Sequence, residues 1–168
     1  MKNILLFFVI AAASNILILA QGKQTTLDEK TGKSMFVGSV NVNDFQDTAY
    51  AEWWNSGYEN YTPDSVLLGK LNGKLDSVSI TIVMGTWCSD SRREVPRFYK
   101  ILDLLKYPAD KIKLICVDRK KKALKEESDS LEIELVPTFI FYRQQEEIGR
   151  IIESPEASLE SDMLEITE

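Results

Sequence analysis

The sequence predicts an α/β sandwich of three layers, with a central mixed β-sheet and an N-terminal helical extension. Three observations carry this reading. Val78–Met84 (VSITIVM) and Lys111–Val117 (KIKLICV) are almost continuously apolar and β-branched, as strands covered on both faces are. A segment with helical start signals separates them. Thr138–Tyr142 (TFIFY) and Glu147–Ile152 (EIGRII) then form two further strands ahead of a closing amphipathic stretch. The order strand–helix–strand–helix–strand–strand–helix fits a mixed sheet with helices packed on it.

Taken from the start, residues 1–20 have the form of a secretory signal peptide: a short basic beginning, an apolar run from Ile4 to Leu19, and a small residue at Ala20. The run is also near the minimum length of a membrane span, so a retained anchor stays open as the second reading. Cleavage places the protein in the periplasm or outside the cell; a membrane association follows only if the segment is kept. Residues 21–34 are polar and read as a flexible N-terminus, which leaves 35–168 as one domain. Within it, 35–77 is a strand and helical part, and 78–168 is the core.

Met35–Val40 has the pattern of a short strand. Asn43 or Asp44 can cap a helix that runs to about Tyr61 and carries Phe45, Tyr50, Trp53, Trp54 and Tyr58. That aromatic stripe reads as core packing, with a ligand platform as the alternative. Pro63 and Asp64 start a second helix, with Val66, Leu67, Leu68 and Leu71 on its apolar side. Ser89 to about Lys106 forms a helix interrupted by Pro96. Arg119–Glu127 is charged and helix-forming, and its basic run reads as a solvated face. Pro155–Ile166 closes the chain as a helix.

Composition excludes several function classes. The 168 residues include 26 acidic and 20 basic side chains, a net charge of −6, with two cysteines and no histidine. An acidic chain has no electrostatic reason to bind nucleic acid or an anionic membrane surface. Histidine-based acid–base chemistry is impossible. Two cysteines alone cannot complete a zinc site, and they allow one bridge at most. No metal and no cofactor is expected, and the protein is expected to be a monomer.

Chemistry concentrates at Gly85-Thr86-Trp87-Cys88-Ser89-Asp90-Ser91-Arg92, where an apolar strand passes into a helix. A thiol at a helix N-terminus is readily ionised, because unpaired backbone N–H groups and the positive end of the helix dipole favour the thiolate. Arg92 and Arg93 add positive charge in the first turns, whereas Asp90 opposes ionisation. Position 91, three residues after Cys88, holds serine. Its hydroxyl is expected to donate a hydrogen bond to the Cys88 sulfur. Cys116, inside an apolar strand, reads as a core residue.

With Trp87-Cys88 between strand and helix, Pro96 eight residues on, Val136-Pro137-Thr138 ahead of an apolar strand, and Gly149 in the last strand, the chain from about Val78 to Glu168 resembles the thioredoxin-like superfamily, its secreted or periplasmic members in particular. The resemblance implies a thioredoxin-like sandwich, with Cys88 as the attacking thiolate and Trp87 shaping the surface beside it. It also implies a cis Pro137 that brings the Val136 backbone next to the sulfur, where a client strand pairs; a trans Pro137 that merely begins a strand is the alternative. The chain departs from the family at two places. Ser91 stands where a resolving cysteine would be, and Ile82 stands where many thioredoxins have a buried acid.

Two functional classes follow. One is monothiol thiol–disulfide exchange, with client proteins or small thiols joined through Cys88 and released by a second thiol from elsewhere. The other is a non-catalytic protein-binding module on the same scaffold.

Overall fold

The computed structural model describes residues 24–125 and 127–168; the signal-peptide reading of residues 1–20 lies outside them. Seven strands and four α-helices follow in the order β1 (Thr25–Leu27), β2 (Ser34–Phe36), β3 (Gly38–Ser39), α1 (Thr48–Glu59), α2 (Ser65–Leu71), β4 (Val78–Met84), α3 (Ser89–Leu104), β5 (Ile112–Cys116), β6 (Thr138–Arg143), β7 (Glu146–Ile152) and α4 (Leu159–Thr167). The main sheet has the order β3-β5-β4-β6-β7, and β1 and β2 form a separate antiparallel hairpin. Strands β4 and β5 are parallel, joined by α3 as the crossover; the other pairs are antiparallel. The architecture is thus the α/β sandwich with a central mixed sheet flanked by helices that the sequence predicts.

Strand alternation sorts the core into two layers. Ile80, Ile82, Met84, Leu114, Cys116, Phe139 and Phe141 face the helices, among Trp54, Val95, Phe98, Leu102, Leu159 and Met163. Val83, Ile115 and Val117 face the other way, against Val136, Trp87, Cys88 and the apolar side chains of the 123–133 loop. The second layer is thin, and the reactive motif is part of it.

Helix starts follow their side chains. The carboxylate of Asp47 accepts from Ala49 N–H at the head of α1, and that of Asp64 accepts from Val66 and Leu67 N–H at the head of α2. The aromatic stripe is chiefly core: Phe45 stacks on Trp54 at 4.3 Å and meets Phe36 edge-on at 5.3 Å. Helices α1 and α3 approach closely because Gly57 faces Pro96; a Cβ at Gly57 would lie 3.2 Å from the proline ring. Pro96 has no N–H to give the Arg92 carbonyl, so the break in the ladder falls where α1 packs.

Two expectations need correction. The 21–34 stretch is not simply a flexible tail, since residues 25–36 form the β1–β2 hairpin. Its loop is tied by Asp28, whose carbonyl accepts from Thr31 and Gly32 N–H and whose carboxylate takes the Thr31 hydroxyl at 2.6 Å. Nor do the described residues of 119–127 form a helix. The Asp118 carboxylate instead accepts from Lys120 and Lys122 N–H, Asp118 N–H reaches the Lys122 carbonyl, and Lys121 has φ +60°. Four consecutive cations repel one another along a helix, and the preceding aspartate offers their backbone another partner. Among the described residues no helix is long and apolar enough to cross a membrane.

Candidate functional site

Cys88 is the N-cap of α3, with extended backbone (φ −89°, ψ 130°), and its side chain makes no capping bond. The strand-to-helix turn is closed by Cys88 N–H donating to the Gly85 carbonyl at 2.9 Å, and Arg92 N–H then begins the helix ladder on the Cys88 carbonyl at 3.1 Å. The thiol is half-buried and free. It donates to the Val136 carbonyl oxygen at 3.1 Å, and the Val136–Pro137 peptide is cis. Residues 48 positions apart therefore meet at the sulfur. Three of the residues singled out from sequence, Cys88, Val136 and Pro137, share one place.

Trp87 flanks them. Its Nε1 donates to the Val117 carbonyl at 2.9 Å, which fixes the indole across the end of the sheet. The ring lies on Gly85: a Cβ there would sit 2.6 Å from Trp87 Cε2. Only glycine permits this contact without displacing the indole.

Ser91 has a different role from the one expected. It is fully buried, and its Oγ accepts from Gly85 N–H at 3.2 Å. The hydroxyl turns inward because α3 presents that side to the sheet, and a buried N–H at the strand end needs an acceptor. The printed hydrogen bond of the Cys88 thiol goes to Val136 instead. Arg92 and Arg93 are also engaged elsewhere. Arg92 Nε donates to the Thr86 carbonyl at 2.6 Å, and Arg93 pairs with Asp90 at 2.8 Å and with Glu94.

The cation that reaches the site is Arg119, which the sequence placed on a solvated face. Its guanidinium lies 4.8 Å from the centre of the Trp87 ring, beside Cys88 in the chain. Asp28 holds it there through bonds of 2.6 and 2.8 Å from Nε and Nη2. The hydrogen bonds from Arg119, and after them the one from the Thr31 hydroxyl, hold the Asp28 carboxyl well below the usual carboxylate range. The N-terminal hairpin is also joined to the motif by Phe36 N–H, which donates to Thr86 Oγ1 at 3.2 Å. No local pattern announces the Asp28–Arg119 pair, because its partners are 91 residues apart.

Cys116 lies on the opposite, helix-facing side of the sheet, fully buried. Burial pushes its thiol pKa far up, with a smaller contribution from the charge of Asp44. Native protein is accordingly expected to yield one rapidly alkylated cysteine, Cys88, and the second only in denaturant. Thiol counting by mass spectrometry checks this; fast native labelling at Cys116 would refute it. Among the described residues no cluster of three or more cysteine, aspartate or glutamate side chains is placed to hold a metal ion.

No protein-family model matches the chain, and no curated protein matches it. Several solved structures do. A protein of unknown function from Pseudomonas aeruginosa is 18% identical with a TM-score of 0.48, covering 69% of this chain and 80% of its own. An HIV epitope scaffold is 16% identical with a TM-score of 0.47, over 69% of this chain and 80% of its own. Oxidised thioredoxin O2 from Arabidopsis thaliana is 19% identical with a TM-score of 0.41, over 61% of this chain and 85% of its own. What these likenesses give is a distant and partial similarity, in one case to a thioredoxin fold.

Proposed function

We propose that this protein carries out monothiol thiol–disulfide exchange outside the cytoplasm, on protein or small-molecule thiols and disulfides, through a mixed disulfide at Cys88. The observation that carries the reading is the placement of Cys88: a half-exposed thiol at a helix N-cap, 3.1 Å from the Val136 carbonyl. A thiolate there attacks one sulfur of a disulfide. A new S–S bond to Cys88 forms as the old one breaks, and the leaving sulfur departs as a thiolate. Ser91 cannot displace the resulting mixed disulfide and Cys116 is locked away, so release takes a second thiol from the client, a small thiol or another protein. Trp87 shapes the approach, and the backbone at Val136 and Pro137 lies where a client strand pairs.

The binding-module reading draws on one observation, a cavity of about 400 Å³ lined by Trp54, Tyr58, Tyr99 and Tyr107. Trapping separates the two. Thiols in the native compartment are blocked rapidly and proteins are resolved on non-reducing gels, comparing wild type with Cys88→Ala. The expected result is a set of adducts, small or large, that wild type forms and Cys88→Ala lacks entirely. Identical patterns in the two would end the exchange reading.

A further inference from the structure

A cavity of about 140 Å³ lies between the N-terminal hairpin and Trp87. Its lining brings together Lys33, Arg92 and Arg119, against the single carboxylate of Asp28. In a chain of net charge −6 this is a concentration of the minority charge. Asp28 is already saturated: it accepts from Arg119 Nε and Nη2, from the Thr31 hydroxyl and from Lys30 N–H.

Each guanidinium is held by one edge. Arg92 donates through Nε to the Thr86 carbonyl and lies 5.6 Å from the Trp53 ring centre. Arg119 is held by Asp28 and lies over Trp87. Among the described residues, both Nη atoms of Arg92, Nη1 of Arg119 and Nζ of Lys33 have no acceptor. The two held guanidiniums, with free N–H groups beside a small hollow, are prepared for a planar anion, because little ordering of them remains to oppose binding, and the exposed Lys33 adds charge at the rim. Trp87, the residue next to Cys88 in the chain, lines this cavity, and Arg119 lies over its ring.

We infer that this cavity receives the carboxylate of a low-molecular-weight acidic thiol or disulfide whose sulfur exchanges with Cys88. The inference rests on the exchange reading above and names the substrate class. The hollow has room for a carboxylate-bearing arm and not for a length of folded protein. In the step itself, Cys88 thiolate attacks one sulfur of RS–SR. The Cys88–SR bond forms, the RS–SR bond breaks, and RS⁻ leaves into solvent, with no external oxidant or reductant.

The test uses three small disulfides of similar size: 3,3′-dithiodipropionate (anionic), bis(2-hydroxyethyl) disulfide (neutral) and cystamine (cationic). Adduct formation at Cys88 is timed by mass spectrometry. Within each variant, the ratio of anionic to neutral rates cancels changes in thiolate content and in folded fraction. Wild type is expected to favour the anionic compound about tenfold over the neutral one and to disfavour cystamine. Lys33→Gln and Arg92→Gln each lower the ratio, their combination brings it to about one, and Arg92→Lys, which keeps the charge without the planar fork, retains only part of it. Lys70→Gln, the same charge change outside the cavity, leaves the ratio in place.

A wild-type ratio near one with rapid neutral reaction overturns the inference and leaves the exchange reading standing. An equal fall in Lys70→Gln assigns the preference to net charge, which also overturns it. A charge preference seen only with disulfide-linked peptides carrying Glu in place of Gln would move the site to protein clients and overturn the small-molecule assignment. A Cys88 that reacts with none of the three overturns both readings.

Discussion

Ser91→Cys is expected to turn a thiol that needs an external partner into a self-resolving dithiol. Positions 88 and 91 are the N-cap and the third residue of α3, neighbours that a small adjustment brings within the Cα separation of about 7 Å that a disulfide needs. After Cys88 attacks a client disulfide, the new thiol displaces the client and closes an 88–91 bridge. A chemical dithiol then reduces that bridge. In an insulin-reduction assay with dithiothreitol, wild type should add little to the background, and Ser91→Cys should turn over many times per molecule. The change also has a cost. Ser91 Oγ is the acceptor for the buried Gly85 N–H. Sulfur is a weaker acceptor, so a loss of about 1 kcal/mol in stability is expected alongside the gained activity. A folded Ser91→Cys protein that forms no 88–91 bridge and gains no turnover would count against a redox geometry at this site.

Phe98→Ala is expected to produce the largest loss of stability, about 3–5 kcal/mol. Phe98 is fully buried in α3, stacked on Phe139 at 4.4 Å and edge-on to Phe141 at 6.1 Å. Those rings are the bond between the helix that starts at Cys88 and the strand that starts just after Pro137. Removing Phe98 leaves a cavity that the sheet, paired on both sides of β6, cannot collapse to fill. Urea denaturation measures the loss as a lower midpoint with an unchanged slope. A shift below about 1 kcal/mol would mean that the α3–β6 contact carries much less of the fold than its burial implies. Because α3 carries Cys88 and β6 follows Val136, the native alkylation rate of Cys88 should change as well.

The parts of the molecule that were legible in the sequence are those whose cause is local or periodic. VSITIVM became β4 and KIKLIC supplied β5, since a strand buried on both faces must be apolar throughout. Asp64 caps α2 as its residue type favours, and α3 begins at Ser89 as expected, although its N-cap is Cys88 without a side-chain bond. Trp87, Cys88, Val136 and Pro137 are legible from motif and strand context, and folding brings the Cys88 thiol to the Val136 carbonyl. The errors fell where the partner is distant. Arg119 was assigned to solvent and Asp28 to a loose tail, yet each holds the other beside Trp87. The Ser91 hydroxyl was pointed at the sulfur next to it in the motif, whereas the nearest unsatisfied group was the Gly85 N–H.

By itself, then, the sequence determined the sheet, the helix carrying the thiol, and the absence of a second cysteine three residues on. These follow from hydrophobic periodicity, capping chemistry and the identities of single residues, all of which act over a few positions. Only the tertiary structure decided which cation lies over Trp87 and which way Ser91 faces. An ion pair is selected by what folding brings together, and a buried hydroxyl turns to whichever backbone group packing has left without water. The thiol is written in the motif; the arginine over its neighbouring tryptophan comes from the loop after β5, held there by Asp28 of the N-terminal hairpin.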